Sequence, residues 1–204
     1  MPAAVAVLDE PLDLGKDRIR WTRTRYHQLI DMDIVTERTE LLDGDIIPKM
    51  PQNPPHRITL YFVSAWLETV FGRAFVQQQQ SVELSDEDSE INEPEPDISV
   101  LAKPIPSYQS GNPPPDEIVL AVEISDTTIH KDVGKKARLY SRAGFPEYWI
   151  ADVNKRQIIV HREPTDNGYT SIVSYSGEEE IVLLAKPEAK IAVSALFPAD
   201  DAQD

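Results

Sequence analysis

Two residues fit their surroundings poorly. Glu123 stands inside the apolar run Leu120–Ser125, and Lys136 falls within a helical pattern a dozen residues later. A carboxylate in a buried strand costs several kcal/mol, of order 3 to 5 when it stands alone, unless a cation or good donors meet it. With Val133 at zero and about 100° per residue, Ala137, Tyr140, Ala143 and Leu139 mark an apolar arc, with Lys136 near its middle at about −60°. Lys131, Lys135, Arg138 and Arg142 fall on the far side, so Lys136 alone of the lysines is expected to point inward. Asp132, one turn earlier, could simply pair with it, and Glu123 could belong to a structural salt bridge. A third polar residue, Asp97, opens the preceding strand pattern, Pro96–Leu101, where alternation puts Asp97, Ser99 and Leu101 on one face and Ile98 and Val100 on the other. Two carboxylates on adjacent strands suit a hard cation such as Mg²⁺ or Mn²⁺, helped by a backbone carbonyl, here that of Ile124. An ammonium beside them suits the orientation of a nucleophile or the stabilisation of charge on a phosphate. The chemistry these parts imply is phosphodiester hydrolysis.

The elements that must hold these groups follow from local patterns. Ile118–Ser125 reads as a strand covered on both faces. A short loop then leads to the amphipathic helix, which Gly144 closes, and to a second strand ending at Asp152. Thr22 can N-cap a helix carrying Tyr26, Leu29 and Ile30. Asp43-Gly44 predicts a tight hairpin over Thr39–Ile47, with Glu40 on its first strand. Pro54-Pro55 can open a helix running to about Phe71, with Leu60, Val63, Leu67 and Val70 at helical spacing and Gly72 as its cap. Arg73–Val82 reads as a strand whose alternation puts Gln78 and Gln80 on one face. Glu83–Asp97 carries eight acidic residues and no basic one, and reads as a solvated loop. Gln157–His161 and Tyr169–Val173 look like antiparallel strands around Asp166-Asn167-Gly168, and Ile191–Phe197 closes the fold. The aromatics of Glu147-Tyr148-Trp149 suit packing.

Composition narrows the field. The chain has 204 residues, no cysteine and a net charge of −15. The length fits one domain over 21–198, flanked by a flexible arm at 1–20 and an acidic tail at 199–204. The lack of cysteine excludes a disulfide framework or thiolate metal site and suits the cytosol, and no stretch has the length and apolarity to cross a bilayer. The negative charge argues against coating nucleic acid by bulk electrostatics. Lys16–Arg25 and Lys131–Arg142 each hold five basic residues, which leaves room for a locally basic face.

The order Glu95-Pro96-Asp97, Val122-Glu123-Ile124-Ser125, Asp132-Val133-Gly134-Lys135-Lys136, Tyr140 and Gly144–Asp152 resembles the putative restriction endonuclease family of the PD-(D/E)XK nuclease superfamily. Upstream, Glu40–Gly44 and Pro55-His56 are similar to that family's N-terminal signatures, so the resemblance spans about Thr22–Phe197. It implies an α/β fold with a restriction-endonuclease-like core, a mixed central β-sheet flanked by helices. It also implies Asp97 and Glu123 as metal ligands, Glu40 as a further acidic site residue, and DNA as substrate, commonly cut by a homodimer. The superfamily's usual lysine, two residues after the second carboxylate, is replaced by Ser125; the family's helix-borne lysine is matched by Lys136. His56, Glu95 and Ser125 are expected to line the cleft. The competing readings are a catalytically inactive nuclease fold serving as a protein-interaction module, and an acidic DNA mimic.

Overall fold

The computed structural model describes residues 19–49, 53–126 and 132–198, without the side chains of Asp132 and Val133. The expected N-terminal arm up to residue 18, the acidic tail, His130, Lys131 and the Asp132–Lys136 pairing lie outside the described residues. The chain divides into two compact units, one holding residues 19–49 and 86–94, the other the rest.

In the first unit Thr22 accepts a hydrogen bond from the Arg25 amide and starts α1 (Arg23–Asp31). β1 (Thr39–Leu42) and β2 (Asp45–Pro48) form the predicted hairpin, with Asp43 and Gly44 at φ of 54° and 72°. Gly44 is needed for a second reason: a Cβ there would lie 2.7 Å from the Arg20 Cβ. The acidic run departs from expectation. Asp86–Ser89 makes one helical turn, α3. Glu93 is buried and accepts from Arg23 Nε at 2.8 Å, and its Oε2 lies 2.6 Å from His27 Nε2. Partners some seventy residues away in sequence turn this part of a solvated-looking loop into an interior anchor.

The second unit is built on a six-stranded sheet in the order β3 (Val76–Gln78), β4 (Ile98–Leu101), β5 (Ile118–Ser125), β6 (Glu147–Asp152), β7 (Gln157–Thr165), β8 (Gly168–Ser176). Only β5 and β6 run parallel; a connection through the described segment 132–146 returns the chain to the same end of the sheet. α2 (Pro54–Phe71) has the predicted bounds, capped by Asn53 and by Gly72 at φ 91°. Its Leu60, Val63 and Leu67 pack on one sheet face with Ile98, Val100, Leu120, Val122, Ile124 and Trp149. The opposite face carries Asp97, Ser99, Ala121, Glu123 and Tyr148 by alternation. There Tyr140, from α4 (Ala137–Arg142), stacks on Phe145 with ring centroids 5.0 Å apart and meets Tyr148 edge-on at the same distance.

Three expectations change. The strand predicted over Arg73–Val82 shrinks to β3, because Gln79 adopts φ 53° and breaks the extended run, so Gln78 and Gln80 share no strand face. The amphipathic helix expected ahead of Gly144 begins as a π-helical turn, Asp132–Lys136, before α4. The C-terminal segment adds a two-stranded sheet, β9 (Glu180–Val182) with β10 (Lys190–Ala192), ahead of a 3₁₀ turn burying Val193 and Leu196. No helix among the described residues is long and apolar enough to cross a membrane.

Candidate active site

The strand register brings the carboxylates together. β4 and β5 pair antiparallel with Ile98 opposite Val122, so one step further places Asp97 opposite Glu123 on the same sheet face. The Ile124 amide donates to Asp97 Oδ2 at 2.8 Å, fixing that carboxylate against β5. Asp97 is 5 % and Glu123 3 % exposed.

Glu123 is met from the connection between β5 and β6. Lys136, at the junction of the π turn and α4, places its Nζ 2.9 Å from Glu123 Oε1 and is itself buried. The wheel assumed α geometry from Val133, whereas a π turn advances less per residue; Lys136 faces the sheet in either geometry. Tyr140, one α-turn later, donates its hydroxyl to the same oxygen at 2.9 Å and is fully buried. One carboxylate oxygen is thus gripped by an ammonium and a phenol from one helix face. Tyr140 belongs to the family-like motif, yet its role escaped the sequence reading; its spacing of four from Lys136 was the signal that could have found it. Arg138 and Arg142 are exposed on the other side of α4, as the wheel expected.

α2 brings a further group. Asn53 accepts from the His56 amide at 3.0 Å and donates to the side chain of Asp126, just past β5. Asn154, beyond β6, also bonds Asp126, at 2.7 and 2.9 Å, so three segments are tied at this end of the sheet. The tether sets His56 beside Asp97, with Nε2 3.4 Å from Oδ2. Its side chain is 15 % exposed, and Nδ1 is buried with no hydrogen-bond partner among the described residues. Glu95 is buried in the segment leading to Asp97, and Ser125 is fully buried at the end of β5. Glu40 belongs to the first unit, buried on β1 opposite Ile47.

Other predicted packing groups stay out of this cluster. Glu147 is buried and accepts from Trp149 Nε1 at 3.0 Å, from Arg162 and from the Leu184 amide at 2.9 Å, which makes it a structural hub. No group of three or more histidine, aspartate or glutamate side chains able to hold a metal occurs among the described residues. Two carboxylates and a main-chain carbonyl still fit a hard divalent cation that keeps several waters in its shell, as Mg²⁺ does.

Comparison with known proteins agrees with this architecture. A solved structure described as a putative nuclease belonging to DUF820, from Anabaena variabilis ATCC 29413, superposes with a TM-score of 0.61 over 83 % of this chain and 96 % of that one, at 17 % identity. That likeness gives the fold, a restriction-endonuclease-like α/β core. No curated protein matches the chain. Residues 24–194 match the profile of a family described as Uma2, putative restriction endonuclease, a span that includes every residue of the cluster around Glu123. The chain belongs to that family.

Proposed function

We propose that the protein is an endonuclease that hydrolyses DNA phosphodiester bonds with Mg²⁺ or Mn²⁺ held by Asp97 and Glu123 and the Ile124 carbonyl. The observation that carries this reading is the convergence of Lys136 Nζ and Tyr140 OH on one Glu123 oxygen, across the strand pair from Asp97. When bound, the cation supplies Lewis acidity to the phosphate and acidity to a water. The chain's own groups do the rest. The Ile124 amide holds the Asp97 carboxylate in one orientation, and Tyr140 does the same for Glu123. Lys136, an ammonium whose position is set by Glu123, places positive charge where a phosphate gains negative charge, and orients the attacking water. His56, with Nε2 3.4 Å from Asp97 Oδ2, helps to hold that carboxylate in place. Ser125 leaves the superfamily's usual lysine position without an amine, so Lys136 carries that role from the helix.

A buried glutamate–lysine pair would also suit a non-catalytic member of the fold, and metal binding separates the two. Calorimetric titration with MnCl₂ is expected to show one binding event for the wild type, lost in Asp97→Asn and in Glu123→Gln. Equal binding by all three proteins, or none by the wild type, would contradict the proposal.

A further inference from the structure

Three of the four consecutive glutamines from Gln77 to Gln80 line a cavity of about 450 Å³ at the β3 edge of the sheet, a size in the range of small-ligand sites. The amides around it have a fixed orientation. Gln77 directs Nε2 to the Ser81 carbonyl at 3.4 Å, Gln80 directs Nε2 to the Gln79 carbonyl at 3.0 Å, and Asn112 directs Nδ2 to the Glu83 carboxylate at 3.2 Å. Carbonyls and carboxylates only accept, so each amide turns its nitrogen to the protein and its oxygen is the atom left for a ligand. Glu68, near the end of α2, adds another acceptor. The rest of the wall differs in kind. The Tyr108 hydroxyl accepts from the Lys103 amide at 3.3 Å, which fixes the residue and leaves its ring to the cavity. Arg73 brings a guanidinium.

We propose that this cavity is a base-recognition pocket that takes one unpaired guanine of the DNA strand being cut, with the guanine N1–H and 2-amino donors on the amide oxygens of Gln77, Gln80 and Asn112. The choice of DNA rests on the endonuclease reading; the choice of base rests on the wall. Guanine presents two adjacent donors on its pairing edge, whereas adenine and cytosine set one amino group beside a ring acceptor and thymine sets one N–H between two carbonyls. An acceptor-rich wall therefore favours guanine. Reading that edge requires a base that is out of its pair. The Tyr108 ring suits stacking on a base, and Arg73 suits a phosphate and disfavours a simple amine. The position also fits a DNA strand held at Asp97. The Gln79 amide donates to the Asp97 carbonyl at 3.1 Å, and β3 neighbours β4, so the pocket begins one strand, about 4.8 Å, from the strand that Asp97 leads into.

NMR chemical-shift titration of the full chain with deoxyguanosine monophosphate, in EDTA so that no cation takes part, tests this. The wild type is expected to bind it with a Kd of about millimolar order, and to bind deoxyinosine monophosphate, which lacks only the 2-amino group, and thymidine monophosphate about tenfold more weakly. Gln77→Leu and Gln80→Leu, each removing one acceptor, are expected to weaken deoxyguanosine monophosphate about fivefold. Gln80 is exposed and keeps the test valid where Gln77→Leu alters folding; far-UV circular dichroism checks each variant. No shift with deoxyguanosine monophosphate up to about 10 mM, thymidine monophosphate bound as tightly, or binding that both folded variants leave unchanged would overturn the proposal. Because the titration needs neither cation nor cleavage, guanine-selective binding by a protein that cuts no DNA would keep the pocket and strike the endonuclease reading, and cleavage without such binding would strike the pocket alone.

Discussion

At the scale of single residues, the balance around Glu123 decides what substitutions do. Lys136 and Glu123 neutralise each other inside the protein, at 3 % and 4 % side-chain exposure. Removing one partner leaves a buried charge, so Lys136→Ala is expected to cost about 3 kcal/mol in denaturant unfolding, and Lys136→Ala with Glu123→Ala together less than the sum of the singles. Tyr140→Phe is milder. It keeps the ring packed between Phe145 and Tyr148 and deletes one hydrogen bond to a charged acceptor, so about 1.5 kcal/mol of stability is expected to go. If Tyr140 orients Glu123, the same variant lowers kcat with little change in KM; an unchanged kcat would assign the hydroxyl to stability alone. Glu123 and Lys136 were legible in the sequence because each is a charge in an apolar pattern. Tyr140 was not, because a tyrosine on an apolar helix face is ordinary until its hydroxyl is seen to have a carboxylate within reach.

At the scale of elements, the cap of α2 matters more than its length suggests. Asn53 satisfies the His56 amide and ties the helix to Asp126 past the end of β5. Asn53→Ala is expected to cost about 1 kcal/mol by loss of the cap, and to loosen His56 from Asp97. Proton NMR of the His56 ring would report a changed environment in that variant, and an identical spectrum would contradict the tether. α2, the hairpin and β5 were readable because proline, Asp-Gly, glycine and unbroken apolar runs are strong local signals. β3, the π turn and the β9–β10 pair were not. Gln79 takes a positive φ that nothing in a run of glutamines announces, a π turn has no distinctive composition, and three-residue strands are too short to show a period. The burial of Glu93 was hidden for another reason: its partners, Arg23 and His27, are remote in sequence.

At the scale of the whole molecule, acid stability and substrate contact follow from charge. His161 is buried between the rings of Tyr148 and Tyr169, and burial pushes its pKa below the usual 6.5. The folded state therefore binds this proton less readily than the unfolded chain. Its stabilising effect is complete above pH 6.5 and declines as pH falls from there through the depressed folded value. His161→Phe is expected to flatten the loss of Tm between pH 7 and 5, measured by thermal unfolding in buffers of matched ionic strength, and an unchanged slope would place the acid sensitivity elsewhere. A chain of net charge −15 gains little from bulk attraction to DNA, so the proposed hydrolysis rests on Asp97, Glu123, Lys136 and the cation proposed to bind between them. Cleavage of supercoiled plasmid in Mg²⁺ or Mn²⁺, comparing wild type, Asp97→Ala and Lys136→Ala, tests that claim most directly. The wild type is expected to give nicked and linear DNA, none after chelation with EDTA, and either variant is expected to give none at matched folded concentration; cutting that survives both substitutions, or a wild type that cuts no DNA with either metal, would contradict the proposed site.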